Sequence, residues 1–357
     1  MGYTVNYKVI QWATGHVGIH ALQGIINRDH LELVGLMVSD PQKVGVDAGL
    51  LVGGPETGIL ATDDRESILA MDADIVCYTA ASDFRPQECI GDMCDILRSG
   101  KNLVTSSMVT LVNPFEFVPD VAAMIEQACR EGGTSFLCAG IDPGFAPDAL
   151  PIMLSAMSEN IRTLRQQTIW GYDSYDQPET LEMFMGFGKP IGTDVPLLSP
   201  GAITMTWGPS ARMIAEALGV ELDEVRQRHE QAPAPATFEI PTGTIEKGTA
   251  AGLRFEVIGV VNGEERIVLE HVARLREDVA PHWPQGNGPG TYRITVEGSP
   301  NFRCELDFGL DGEDHNIGAM KAAAMCCVNA IPRLVESEPG FRRWLDFSSI
   351  AGKGALS

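Results

Sequence analysis

Residues 9–25 read VIQWATGHVGIHALQGI: a hydrophobic run ends at Ala13, and Gly15 and Gly18 bracket the start of an amphipathic stretch. A strand that turns into a helix through glycines offers bare backbone N–H groups at a positive helix end, an arrangement suited to a pyrophosphate. The usual fingerprint of this turn is G-x-G-x-x-G, and Ala13 stands at its first position. The spacing predicts a dinucleotide cradle made by Thr14, Gly15, His16, Val17 and Gly18, with Gly15 letting the pyrophosphate approach the backbone. After the second hydrophobic run, LMVSDPQKVG places Ser39, Asp40 and Lys43 where the adenosine ribose is read. An acid there grips the ribose hydroxyls of NAD, whereas small or basic residues accommodate the extra phosphate of NADP. Asp40 therefore favours NAD, and Ser39 with Lys43 favours NADP. The balance leans slightly to NADP, with Asp40-Pro41 also readable as the start of a turn.

A bound nicotinamide implies hydride transfer, which needs a polarised carbon nearby and a proton source. In an open α/β sheet the ligand crevice lies beyond the carboxyl ends of the strands. Thr79, Ala80 and Ala81 close the fourth strand pattern, and Thr105 and Ser106 close the fifth. Their small side chains suit a nicotinamide ribose passing over them.

The elements that must hold these residues follow from the hydrophobic patterning. Strands are expected at Tyr7 to Ala13, Leu31 to Ser39, Ile75 to Ala80, Asn102 to Ser106 and Thr134 to Ala139. Helices are expected between them, at His16 to Asn27, Asp64 to Met71, Pro86 to Arg98 and Val121 to Arg130. This alternation predicts an α/β fold, a Rossmann doubly wound parallel sheet over residues 1–140. Beyond Gly140 the pattern changes. A strand is expected at Ile161 to Tyr172, helical segments at Thr180 to Phe187 and Arg212 to Arg228, and a Pro-rich connection at QAPAPATFEIPTG. Long antiparallel strands follow at Leu253 to Val261, Glu265 to Arg276, Tyr292 to Glu297 and Phe302 to Phe308, the first two joined by an Asn262-Gly263 turn. Residues 141–311 thus read as a second α+β domain with an open sheet. Residues 312–357, with the Ala-rich run HNIGAMKAAAMCCVNAIPRLV, read as a helix returning to the Rossmann domain.

Composition narrows the function classes. A net charge of −22 over 357 residues argues against nucleic acid, whose phosphates are bound by Lys and Arg. No apolar run reaches the roughly 18 residues that span a bilayer, and MGYTVNYKVIQWA lacks the basic start of a secretion signal, so a cytoplasmic protein is expected. The eight cysteines sit mostly in apolar runs such as DIVCYTA, no CxxC or HExxH occurs, and no metal site is expected.

Several stretches carry a more specific resemblance: WATGHVG, VSDPQKVGVDAG, GKNLVTS, AGIDPGFAPDALP, MGFGKP, LEHVARL, WPQG with GTYRITVEGSP, and VNAIP. In this order, from Trp12 to Pro332, they resemble the dihydrodipicolinate-reductase-like superfamily, in the branch of 2,4-diaminopentanoate dehydrogenase and the native amine dehydrogenases. The resemblance implies an NAD(P)-dependent oxidoreductase, a small-molecule substrate and a homodimer, and makes residues 141–311 a substrate and dimerisation domain with an open mixed sheet. It gives His271 the place of a pocket-lining histidine and makes it, with Tyr172 and Tyr175, the candidate proton donor. Asp142 takes the place of an Asn in related turns and also reads as the cap of a helix entering at Phe145. Asn329 is expected on the nicotinamide side, and Trp170, Met185 and Trp283 as shapers of the substrate pocket. One departure stands out: Met108 falls where the amine dehydrogenases carry a Glu that handles the amine and its proton. A thioether neither accepts strongly from an ammonium nor moves a proton. The expected activity is reduction of a C=N or C=O bond in a small apolar substrate. A ketone or C=C reductase independent of ammonia stands as the alternative, and a non-catalytic nucleotide sensor as a lesser one.

Overall fold

The computed structural model describes residues 6–82 and 85–347. In chain order the elements are β1 (Tyr7–Trp12), α1 (Gly18–Ile26), β2 (Leu31–Met37), α2 (Ala48–Leu51), β3 (Ala61–Thr62), α3 (Arg65–Ala70), β4 (Ile75–Tyr78), α4 (Pro86–Arg98), β5 (Asn102–Thr105), α5 (Pro119–Gly132) and β6 (Ser135–Cys138). They continue with α6 (Ala149–Ser155), β7 (Asn160–Gly171), α7 (Ala202–Leu218), β8 (Glu224–Pro233), β9 (Phe238–Ile240), β10 (Gly243–Ile245), β11 (Ala250–Val261), β12 (Glu264–Arg274), β13 (Gly290–Ser299) and β14 (Phe302–Phe308). Helix α8 (His315–Val335), β15 (Gly340–Arg342) and a 3₁₀ turn (Trp344–Asp346) close the described chain. Two units emerge, one of residues 1–145 with 320–357 and one of residues 146–319.

The first unit holds a seven-stranded parallel sheet in the order β15-β6-β5-β4-β1-β2-β3. The chain winds one way from β1 to β3 and the other way from β4 to β6, so the topological switch lies between β1 and β4. Strands β4 and β6 are buried at every residue, as a sheet covered on both faces requires. The predicted strands are all present but end one or two residues early, because the chain bends into its turns at their carboxyl ends. Two short edge strands, β3 and β15, carry too few residues to show a pattern in sequence.

The second unit is built on a six-stranded mixed sheet in the order β14-β13-β7-β12-β11-β8, in which only the β7–β12 pair is parallel. Asn262 (φ 53°) and Gly263 (φ 76°) form the expected left-handed turn between β11 and β12. The expected helix from Arg212 to Arg228 is wrong at its second half. Helix α7 runs from Ala202 and stops at Gly219, which takes φ 68°, and residues 224–233 form edge strand β8. The charges of EVRQRHEQ that resemble a solvated helix face instead guard an exposed sheet edge. The Pro-rich connection contains β9 and leads into β10, with which β9 forms a hairpin. Among the described residues, no helix is long and apolar enough to cross a membrane.

Candidate active site

In the first unit the glycine turn follows β1 directly. Ala13, at the first glycine position, adopts φ 75°, a conformation natural to glycine and strained for alanine. Gln11, fully buried in β1, donates through Nε2 to the Ala13 carbonyl at 2.7 Å and to Thr79 Oγ1 at 2.9 Å, while its Oε1 makes no hydrogen bond. The two glycines have different jobs. A Cβ on Gly18 would lie 2.3 Å from the Ala13 carbonyl oxygen and 2.6 Å from Thr79 Oγ1, so Gly18 allows α1 to pack against the turn. A Cβ on Gly15 would meet nothing within 4 Å, which leaves open space over bare backbone. His16 is exposed beside it and Val17 caps α1.

Thr79 is tied into this turn, and Ala80 is buried, its carbonyl accepting from the Ser107 hydroxyl. Thr105 is buried and accepts from the Ser107 N–H at 2.9 Å; Ser106, half-buried, follows it. Thr79 and Ala80 are thus linked to the β5 end. Beyond β2, Asp40 accepts from the Gln42 N–H at 2.9 Å, so it does start a turn, and its residue is exposed. Lys43 donates through Nζ to the Thr14 carbonyl at 3.0 Å and the Thr14 hydroxyl at 3.2 Å, locking the second turn onto the first. A cavity of about 390 Å³ opens beside these strand ends, lined by Trp12, Ala13 and Ser39 among others. Open backbone at Gly15, the start of a nine-residue helix and an adjacent cavity fit a dinucleotide.

Asn329 does not reach this turn. Its Oδ1 accepts from Arg28 at 3.0 Å, just past the far end of α1. Met108 sits after β5 with left-handed backbone (φ 56°, ψ 67°), heading a 3₁₀ turn over Val109–Val112, and packs, half-buried, against the sheet's core.

In the second unit the sheet register sets Phe255, His271, Thr168 and Tyr292 side by side across β11, β12, β7 and β13. His271 is buried, and its ring stacks on Phe255 with centroids 5.0 Å apart and planes 13° apart. Trp207 of α7 meets it edge-on at 5.9 Å. Nε2 of His271 lies 3.1 Å from the hydroxyl of Tyr172, whose ring in turn contacts Tyr175 at 5.4 Å. The structure therefore brings together His271, Tyr172 and Tyr175, and adds Phe255 and Trp207. Only the strand register and the helix packing select those two; in sequence they look like ordinary core.

Other expected pocket residues serve the core. Trp170 donates to Asn316 Oδ1 at 2.7 Å and packs on Tyr292, Phe308 and His315. Trp283 is buried under the Arg274 guanidinium, and Met185 is buried after a π-helical turn at Glu179–Phe184. Asp142 does not cap a helix at Phe145. Helix α6 starts at Ala149, and its cap is the fully buried Asp148, which accepts from the Ala149 N–H at 2.6 Å and from Ser210 at 2.8 Å.

A switch-point parallel sheet with this turn defines a Rossmann dinucleotide-binding fold, and comparison with known enzymes makes its class that of the nicotinamide-dependent oxidoreductases. A family profile described as the 2,4-diaminopentanoate dehydrogenase C-terminal domain matches residues 145–353. An amine dehydrogenase of Streptomyces virginiae is 38% identical over 343 residues, covering 95% of each chain. A 2,4-diaminopentanoate dehydrogenase of Acetoanaerobium sticklandii is 25% identical over 353 residues, covering 95% of this chain and 92% of that one. The solved structure of an amine dehydrogenase from Mycobacterium smegmatis shares the fold, with a TM-score of 0.78 at 18% identity over 97% of both chains. The chain belongs to the 2,4-diaminopentanoate dehydrogenase family, within the dihydrodipicolinate-reductase-like superfamily.

Proposed function

We propose that the protein transfers a hydride between NADPH and the carbon of a C=N or C=O bond in a small apolar substrate, with Tyr172 and His271 handling the proton. The observation that carries this reading is the 3.1 Å contact between the Tyr172 hydroxyl and His271 Nε2 inside an aromatic cluster. A nicotinamide, when bound, supplies the hydride chemistry. The protein's own part is to hold the dinucleotide on the Gly15 turn, and to keep a proton ready on the Tyr172 oxygen that His271 can replace. The aromatic rings around that pair favour an apolar substrate and keep bulk water away from the proton path. Ser39, at the rim of the cavity, supports NADP over NAD, since Asp40 is occupied in its own turn. The reading also takes the chain as a cytoplasmic homodimer. The free thiols of the described cysteines suit a reducing compartment, and light scattering measures the dimer.

The 38% identical amine dehydrogenase supports a second reading, in which ammonia is a co-substrate and the Tyr172–His271 pair does the work assigned to the family's Glu. Both readings are tested by incubating a panel of small ketones with NADPH, with and without ammonium, and analysing products. Alcohol in both conditions supports carbonyl reduction, and amine with ammonium supports the second reading. Tight NADPH binding with no turnover of any carbonyl or imine overturns both and leaves a nucleotide sensor.

A further inference from the structure

The cavity beside the glycine turn carries charges that do not stand out in the sequence. Its walls include Arg65 of α3 and Arg85 at the entry to α4, together with Glu88, Asp92 and Asp95. These charges are not equally available. Arg65 donates through Nε to Asp92 at 2.9 Å and through Nη2 to Asp95 at 2.6 Å, and the Tyr78 hydroxyl donates to the same Asp92 at 3.2 Å. One guanidinium and two carboxylates are thereby spent on one another.

Arg85 is placed differently. Its Nε donates to the Ala81 carbonyl at 3.2 Å, which fixes the side chain to the segment leaving β4. Its nearest carboxylate among the described residues, Glu88, stands 4.0 Å from Nη1 and is 74% exposed. Among the described residues, the two terminal amino groups of Arg85 make no hydrogen bond. An oriented guanidinium with an unused pair of N–H donors is the geometry that grips a phosphate dianion in a bidentate fashion. Ser39 lines the same cavity from the end of β2 and brings a hydroxyl donor. Lys43, the basic residue that the spacing offers for this task, is held on Thr14 instead.

We infer that Arg85, with Ser39, selects NADPH by binding its ribose phosphate in this cavity. The inference rests on the NADP reading above and names the residues that produce it. Arg85 here is a specificity residue, approaching the phosphate from the loop after β4.

Isothermal titration of NADP⁺, NAD⁺, 2′,5′-ADP and ADP tests it without any turnover. The wild type is expected to bind NADP⁺ and 2′,5′-ADP more tightly than NAD⁺ and ADP. Arg85→Ala should weaken the two phosphorylated ligands by roughly 10- to 100-fold, the range for hydrogen bonds to a charged group, and erase the preference. Arg85→Met, which keeps the stem packing, should do the same. A preference that survives both substitutions overturns the role of Arg85 while leaving NADP dependence intact. Equal weakening of all four ligands also overturns it, since Arg85 would then shape the cavity without reading the phosphate. A wild type that binds NAD⁺ as tightly as NADP⁺ removes the NADP reading itself.

Discussion

The hydroxyl of Tyr172 lies 3.1 Å from Nε2 of His271, and the ring of Phe255 stacks on the same imidazole with centroids 5.0 Å apart. A phenol beside an imidazole gives a donor with a ready source of replacement protons. Tyr172→Phe removes the hydroxyl and keeps the ring. It is expected to slow single-turnover hydride transfer by ~10²–10⁴, the usual contribution of a placed acid–base group, with the dissociation constant of NADP⁺ unchanged. His271→Asn should give a similar loss and shift the pH profile of the remaining rate. A full rate in Tyr172→Phe would move the proton donor elsewhere.

The glycine turn predicts opposite outcomes at neighbouring positions. Ala13 holds φ 75°, so Ala13→Gly removes backbone strain of about 1 kcal/mol and should raise the melting midpoint by roughly 2 °C. At Gly18 even a methyl group meets the Ala13 carbonyl at 2.3 Å, so Gly18→Ala should lower the midpoint and weaken cofactor binding together. A Cβ at Gly15 meets nothing within 4 Å, so Gly15→Val should leave stability alone while abolishing dinucleotide binding, read by fluorescence titration. Unchanged affinity in Gly15→Val would take the pyrophosphate away from this turn.

These contrasts show which parts of the molecule are legible in sequence. The alternation of buried β runs and amphipathic helices announces the parallel sheet, because its inner strands such as β4 and β6 are covered on both faces and a covering helix shows one apolar side. The glycine turn is equally visible, since its backbone demands particular residues. What depends on register is hidden. Phe255 reaches His271 only because β11 and β12 pair as they do, and Trp207 only because α7 packs there. Arg65 and Arg85 are twenty positions apart, and nothing in their spacing shows that one is neutralised and the other is not. Edge strand β8 is hidden for a related reason: its exposed charges satisfy a helix pattern as well as a strand's.

The second unit should have an acid-sensitive element in Glu256. Burial pushes its carboxyl upward, but hydrogen bonds from Arg228 and Arg165 outweigh this and hold it below the ordinary carboxylate value. A folded value below the unfolded one contributes stability above the unfolded value, lost as pH falls through the folded one. Glu256→Gln should therefore cost about 1–3 kcal/mol at neutral pH. The cost should shrink as pH drops below the carboxylate range, where the wild type loses the same interaction. Urea unfolding at pH 7 and at pH 3 checks this; an equal cost at both values would show a packing effect with no ionic part.

Met108 decides between the two functional readings. Its backbone is left-handed at the head of a 3₁₀ turn, and its side chain is only partly buried. A carboxylate side chain of about the same length there need not enter a closed core. The nearest downstream acid, Glu116, is exposed three residues ahead of α5. If position 108 is where the family handles ammonia, the wild type should reduce a suitable ketone to its alcohol even with ammonium present. Met108→Glu should then raise amine formation by ~10² or more, as a carboxylate there holds the ammonium and accepts its proton. The decisive measurement is the amine-to-alcohol ratio at pH ~9, where ammonia and ammonium are both abundant. Efficient amine formation by the wild type, unaltered by Met108→Glu, would show that the carboxylate is dispensable in this chain. Tyr172→Phe then becomes the discriminating variant, because loss of amine formation in it assigns the proton to the phenol.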